Sequence, residues 1–247
     1  MDESTKELEK YWDEFSQEYE EIQNESLVNI GQELREFLLA EKLLPARDFL
    51  DLAGGTGKYI PHFSDFTDKY NIVDLSAKML DFAQNKKADA SKIAFIHQEQ
   101  AEFLEQGEKD AYDFVFTAMN PALDSKEALI ELNRISQRNV GILRLIFDED
   151  NLFSQVEQLY FPAQEQHKEA QMLLYKAWLE ELNWEYKSKT FRFFLSESIS
   201  SQFFSDYFSD EISNDELEAL KQLFFKENEN RDMERLVIFE LLYWEKC

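Results

Sequence analysis

Cysteine occurs once in the 247 residues, as Cys247, so the chain can form no internal disulfide and a reducing compartment is expected. Histidine is almost as scarce: His62, His97 and His167 lie 35 and 70 residues apart, without the paired spacing of a helix-borne metal site. No metal is expected. Positive charge is also in deficit, with 26 Lys and Arg against 51 acids and a formal charge of −25. Such a surface repels nucleic acid and anionic membranes, and it favours neutral or cationic partners. No apolar run approaches the ~20 residues that span a bilayer. The opening MDESTKELEK has no targeting pattern, so a cytoplasmic protein is expected. There are no repeats and no low-complexity linker, and the length suits a single domain.

What the sequence has in quantity is aromatic residues, 15% of the chain, enough for a thick core or an aromatic-lined pocket. Residues 3–22 read as a helix with Tyr11, Phe15 and Tyr19 on one face and Trp12 beside them. A second helix carries Leu27, Ile30, Leu34, Phe37 and Leu38 towards an exit at Pro45. Apolar runs near 47–52, 70–74, 93–97, 112–117 and 141–147 then alternate with helical periods near 58–66, 76–86 and 125–136. Ser76 and Asp124 are the expected helix caps, Asp124 with Glu127 in a D-x-x-E arrangement. The alternation predicts an α/β fold with a parallel sheet covered on both faces. Later come a helix over 164–182, a strand within NWEYKSKTFRFFLS, a helical stretch and a last strand in RLVIFELLYWEK.

The first strand runs into a knot of glycines, DFLDLAGGTGKYIPHF. A P-loop needs glycine at position 52 and Ser or Thr at 59, where Leu52 and Tyr59 stand. A dinucleotide fingerprint needs a third glycine where Ile60 stands, which argues against a pyrophosphate site without closing it off. A nucleoside ligand without phosphate needs only small residues at the turn and an acid for the ribose hydroxyls. Ala53, Gly54, Gly55 and Gly57 supply the first. Asp74, 23 residues after Asp51 at the end of the next apolar run, supplies the second.

With DLAGGTG and VDLSAKML in this order, the chain resembles the class I S-adenosylmethionine-dependent methyltransferases. The resemblance implies a Rossmann-like, mostly parallel seven-stranded sheet with an antiparallel edge hairpin. Its implied parts are an N-terminal helical cap (1–44), a cofactor-binding core (45–150) and a sheet edge (151–247) with a helical insertion at about 197–230. It implies S-adenosylmethionine as cofactor. Asp51 would brace the turn or meet the cofactor's amino group, and Ala53, Gly55 and Gly57 would let backbone approach it. Ala53 replaces the usual first glycine and is tolerable there at negative φ. Asp74 would take the ribose, while Leu75 and Met79 would flank adenine. Gln100 would replace the family's adenine-binding acid, with the Ala101 amide and Ala118 beside it. Asn120-Pro121 partly resembles an amine-binding N-P-P-[YF] motif but lacks its second proline and aromatic.

The acceptor is expected to be a small molecule, with Tyr11, Tyr19, Asn120 and Tyr207 as candidate contacts. No catalytic acid or base is identifiable, and neither is the oligomeric state. Alternatives are a cofactor-binding protein without transfer activity, a nicotinamide-dependent oxidoreductase and an RNA methyltransferase. The N-terminal aromatics and Phe203, Phe204, Tyr207 and Phe208 are either a lid or the buried faces of amphipathic helices.

Overall fold

The computed structural model describes residues 3–161 and 168–247. Helices α1 (Glu3–Glu25) and α2 (Ile30–Ala40) precede strand β1 (Ala46–Leu52). Strands and helices then alternate: α3 (Ile60–Phe63), β2 (Thr67–Asp74), α4 (Ala77–Gln84), β3 (Ile93–His97) and α5 (Gln100–Gln106). The series continues through β4 (Tyr112–Ala118), α6 (Lys126–Ile135) and β5 (Ser136–Asp150). Helices α7 (Phe153–Tyr160) and α8 (Ala170–Glu181), strand β6 (Lys187–Ser200), helices α9 (Ser201–Phe208) and α10 (Asn214–Phe224), and strand β7 (Asn230–Glu245) complete the chain.

The seven strands form one sheet in the order β3-β2-β1-β4-β5-β7-β6. β1 pairs in parallel with both β2 and β4, and β3 and β5 extend the sheet in the same sense. The remaining edge strands are antiparallel. Because strand order reverses between β1 and β4, the carboxyl ends of these two strands open a crevice where an α/β sheet takes its ligand.

Several local expectations need correction. The helix expected over 58–66 is a single α-turn followed by a 3-10 turn at Ser64–Phe66. Ser125, not Asp124, caps α6, because its hydroxyl accepts from the Ala128 amide at 3.2 Å. Leu27 lies ahead of α2 and is exposed. β5 extends beyond the expected 141–147 in both directions, and α7 was not anticipated. Of the helix expected over 164–182, residues 164–167 lie outside the described residues.

The chain divides into two compact units, the first comprising 1–144, 171–191 and 239–247, the second 145–170 and 192–238. In the first, alternating apolar positions on β1, β2 and β4 bury Phe49, Tyr70, Phe114 and Phe116 completely. Phe49 and Phe114 meet edge to face at 5.4 Å. Burying each such ring contributes about 1.5–3 kcal/mol. The second unit has its own cluster, in which Phe204 and Phe208 pack with Leu152, Val156 and Phe225. Asp150 starts α7 there by accepting from the Leu152 and Phe153 amides. Among the described residues, no helix is long and apolar enough to cross a membrane, and no group of three or more His, Cys, Asp or Glu is disposed to hold a metal ion.

Candidate functional site

The turn after β1 is tied to the tip of β2. Asp74 Oδ2 accepts from the Gly55 amide at 2.8 Å, Asp74 Oδ1 accepts from the Ser76 amide at 2.9 Å, and the Gly54 amide donates to the Val73 carbonyl at 3.1 Å. Burial pushes the Asp74 pKa up, while the Ser76 and Gly55 amides oppose the shift. Each carboxylate oxygen keeps a lone pair beyond these bonds.

The backbone explains the small residues. Gly55 and Gly57 have φ of 55° and 72°, and Ala53 also lies in the left-handed region at 54°. The condition under which alanine is tolerated there, a negative φ, is not met, and this alanine carries strain that a glycine would not. A Cβ on Gly55 would meet only the Tyr19 ring, at 3.7 Å, so the turn presents bare backbone. A Cβ on Gly57 would lie 2.6 Å from Ile60 Cδ1 and 2.9 Å from Ala83 Cβ, so Gly57 serves close packing rather than the cleft wall.

Above the turn lies a cleft of about 1110 Å³. It brings together Ala53, Gly55, Asp74, Leu75, Met79, Gln100, Ala101, Ala118, Asn120 and Tyr19 from the expected set. Helix α1 contributes Leu8, Trp12, Tyr19 and Gln23, a face rotated from the anticipated 11/15/19 stripe. The i, i+4 pair Leu8 and Trp12 was the signal available for it. Tyr11 points away, 56% exposed, its ring edge-on to Trp12 at 5.2 Å.

Polar contacts tie α1 to the tip of β3 and to the two ends of α4. Glu9 pairs with His97 at 2.9 Å, Asp13 Oδ1 accepts from the Ser76 hydroxyl at 2.6 Å, and Glu20 pairs with Lys86 at 2.5 Å. Lys86 keeps the Glu20 pKa low despite burial.

Asp51 sits outside the cleft wall, fully buried, with Oδ2 accepting from the Tyr70 hydroxyl at 2.6 Å. Burial raises its pKa to about 7, the Tyr70 bond opposes the rise, and Asp74 adds to it. Asp51 Oδ1 has no hydrogen-bond partner.

At the ends of β3 and β4 the roles shift by one residue. Glu99 caps α5, its two oxygens accepting from the Ala101 and Glu102 amides at 2.8 Å each, so the Ala101 amide is already engaged. Gln100 Oε1 accepts from Asn120 Nδ2 at 2.6 Å, and Gln100 Nε2 donates to the Ala122 carbonyl at 2.8 Å. Asn120 also donates to Thr117 Oγ1 at 2.9 Å and accepts from the Ala122 amide at 2.9 Å. Its side chain thus braces the loop from within. Glu99, which lines the cleft, was not singled out from sequence. Tyr207 belongs to the second unit, where its hydroxyl donates to Glu157 at 3.1 Å and its ring packs on Phe153 at 4.9 Å.

The family model described as a methyltransferase domain matches residues 49–139, the segment that carries the turn, Asp74 and the β4 loop. Residues 49–139 are a methyltransferase domain. Around this methyltransferase domain, the fold of the chain is similar to magnesium protoporphyrin IX methyltransferase from Synechocystis PCC 6803 with bound S-adenosylhomocysteine. The TM-score is 0.53 at 16% identity, covering 95% of this chain and 98% of that one. A protein from Anaeromyxobacter dehalogenans described as a type II methyltransferase gives a TM-score of 0.55 at 11% identity, covering 87% and 96%. Precorrin 8W decarboxylase from Methanobacterium thermoautotrophicum gives 0.50 at 9% identity, covering 86% and 89%. No curated protein matches the sequence.

The residues around the cleft fit S-adenosylmethionine. The Gly55 backbone is bare towards the cleft, Asp74 borders it, and Gln23 Oε1 of α1, which lines it, lacks a partner of its own.

Proposed function

We propose that the protein transfers a methyl group from S-adenosylmethionine to a small, neutral or cationic acceptor held in the cleft above the β1 turn. The observation that carries this reading is the hydrogen bond between Asp74 and the Gly55 amide at the edge of a cleft of about 1110 Å³. It joins the nucleoside acid and the bare turn in one site.

Bound there, the cofactor supplies a methyl group on a sulfonium, already a strong electrophile. The chain's task is then to position and to exclude water. In this reading Asp74 accepts from ribose hydroxyls, Leu75 and Met79 supply apolar surface for adenine, and Leu8, Trp12 and Tyr19 of α1 cover the cleft. The rim carries Asp124, Glu127 and Glu131, whereas the Arg134 guanidinium is spent on Glu131 and on the Leu104 and Gly107 carbonyls. That balance favours a neutral or cationic acceptor over an anion. A fold relative that acts on magnesium protoporphyrin IX agrees with a small-molecule acceptor.

Calorimetric titration with S-adenosylhomocysteine tests the cofactor, with micromolar affinity expected. Absence of binding at millimolar ligand defeats the reading. Release of S-adenosylhomocysteine across a panel of amines, phenols and carboxylic acids tests the acceptor, and turnover confined to the acids removes the charge argument.

A further inference from the structure

Six buried side-chain N or O atoms among the described residues lack a hydrogen-bond partner, and four of them, Glu20 Oε2, Gln23 Oε1, Asp51 Oδ1 and Thr56 Oγ1, belong to α1, the end of β1 and the turn. Native proteins rarely leave such atoms unsatisfied, and a cluster of them marks the place of a missing ligand or water. Two of the four have a local solution, because the Thr56 hydroxyl and the Glu20 carboxylate face each other. Gln23 and Asp51 do not. Gln23 lines the cleft beside Tyr19 and Gly55, and its buried oxygen is an acceptor without a donor.

The course of α1 tells which part of the ligand Gln23 would meet. Glu9 sits at His97 on the tip of β3, Asp13 at Ser76 beyond the tip of β2, and Tyr19 over Gly55 in the turn after β1. The helix therefore travels from the adenosine side of the cleft to the glycine turn. Gln23 lies one turn further on, about 21 Å along the axis from Glu9 at 1.5 Å per residue. We propose that Gln23 is a positioning residue for the amino-acid end of the cofactor, and that this end latches α1 as a lid over the cleft. The inference rests on the cofactor reading given above. An ammonium offers the N–H donor that Gln23 Oε1 lacks, and the Gln23 amide nitrogen can donate to the adjoining carboxylate. A nucleoside without the amino-acid end would leave the latch open, so the lid discriminates between the two.

The test compares S-adenosylhomocysteine with 5′-methylthioadenosine, which has the same nucleoside and no amino acid, on the full chain and on Gln23→Ala. Gln23→Ala is expected to weaken S-adenosylhomocysteine about tenfold, the order of one lost hydrogen bond to a charged group, and to leave methylthioadenosine affinity unchanged. The second ligand also verifies that the variant's cleft is folded. Amide hydrogen exchange over residues 3–25 is expected to slow more with S-adenosylhomocysteine than with methylthioadenosine, and Gln23→Ala is expected to erase that difference. If S-adenosylhomocysteine binds the native chain and Gln23→Ala weakens both ligands equally or neither, water satisfies the amide and the latch is overturned while the cofactor reading stands. If the native chain does not bind S-adenosylhomocysteine, both fall.

Discussion

Asp74 Oδ2 and the Gly55 amide are 2.8 Å apart, so the acid at the tip of β2 organises the turn at the end of β1 and borders the cleft at the same time. Replacing Asp74 removes an acceptor from two amides as well as from any ribose hydroxyl. Asp74→Ala is expected to lower S-adenosylhomocysteine affinity roughly 10- to 100-fold, from about 1–3 kcal/mol of lost hydrogen bonding. Asp74→Asn keeps the shape but can set an amide donor against the Gly55 or Ser76 N–H, so calorimetry should give a comparable loss. Native-like affinity in the asparagine variant would show that charge and acceptor geometry are dispensable.

Asn120 is 3% exposed and uses both ends of its amide inside the protein. Asn120→Asp replaces its donor with an oxygen facing Gln100 Oε1 and Thr117 Oγ1. The variant is expected to lose about 2–3 kcal/mol of stability in urea unfolding, the cost of a buried polar group left against acceptors. Should the variant keep its stability and lose only acceptor turnover, Asn120 would be a substrate contact instead of a brace.

The parts of this site that were legible in the sequence are those fixed by strand ends. A strand's last residue and the turn after it keep their places in a parallel sheet, so the order of Asp51, the glycines and Asp74 sufficed to bring turn and acid together. Helix faces were harder to read. With Tyr11, Trp12, Phe15 and Tyr19 crowded into nine positions, two overlapping stripes were available, and packing against α4 chose the one with Leu8 and Trp12. Capping positions slipped for a similar reason: Asp124 and Ser125 are both good caps, as are Glu99 and Gln100 for an acid's place, and only the backbone path separates neighbours. The positive φ of Ala53 left no trace in the sequence, because alanine gives no sign of a left-handed residue.

That strain gives a stability prediction. Ala53 at φ 54° occupies a conformation that costs an L-residue roughly 1–2 kcal/mol. Ala53→Gly removes the cost but loosens the unfolded chain, which offsets part of the gain. The net expectation is a stabilisation of about 0.5–1 kcal/mol in chemical unfolding, with S-adenosylhomocysteine affinity retained. A destabilised variant would mean that the Ala53 methyl packs productively at the turn.

Asp51 gives the pH prediction. Its pKa in the folded chain is about 7, above its ordinary value of 3.8, because burial outweighs the Tyr70 bond. Between those values the folded protein holds a proton that the unfolded chain has released. The stabilising contribution is therefore complete below about pH 4 and disappears as pH rises through about 7. Asp51→Asn is neutral throughout and removes this dependence. Native minus variant stability, from urea unfolding of the ligand-free proteins, should fall by about 2–4 kcal/mol between pH 4 and 8. Parallel stability curves for the two proteins would mean that Asp51 is ionised across the range, and the orphaned oxygen would then need a cation within the protein itself.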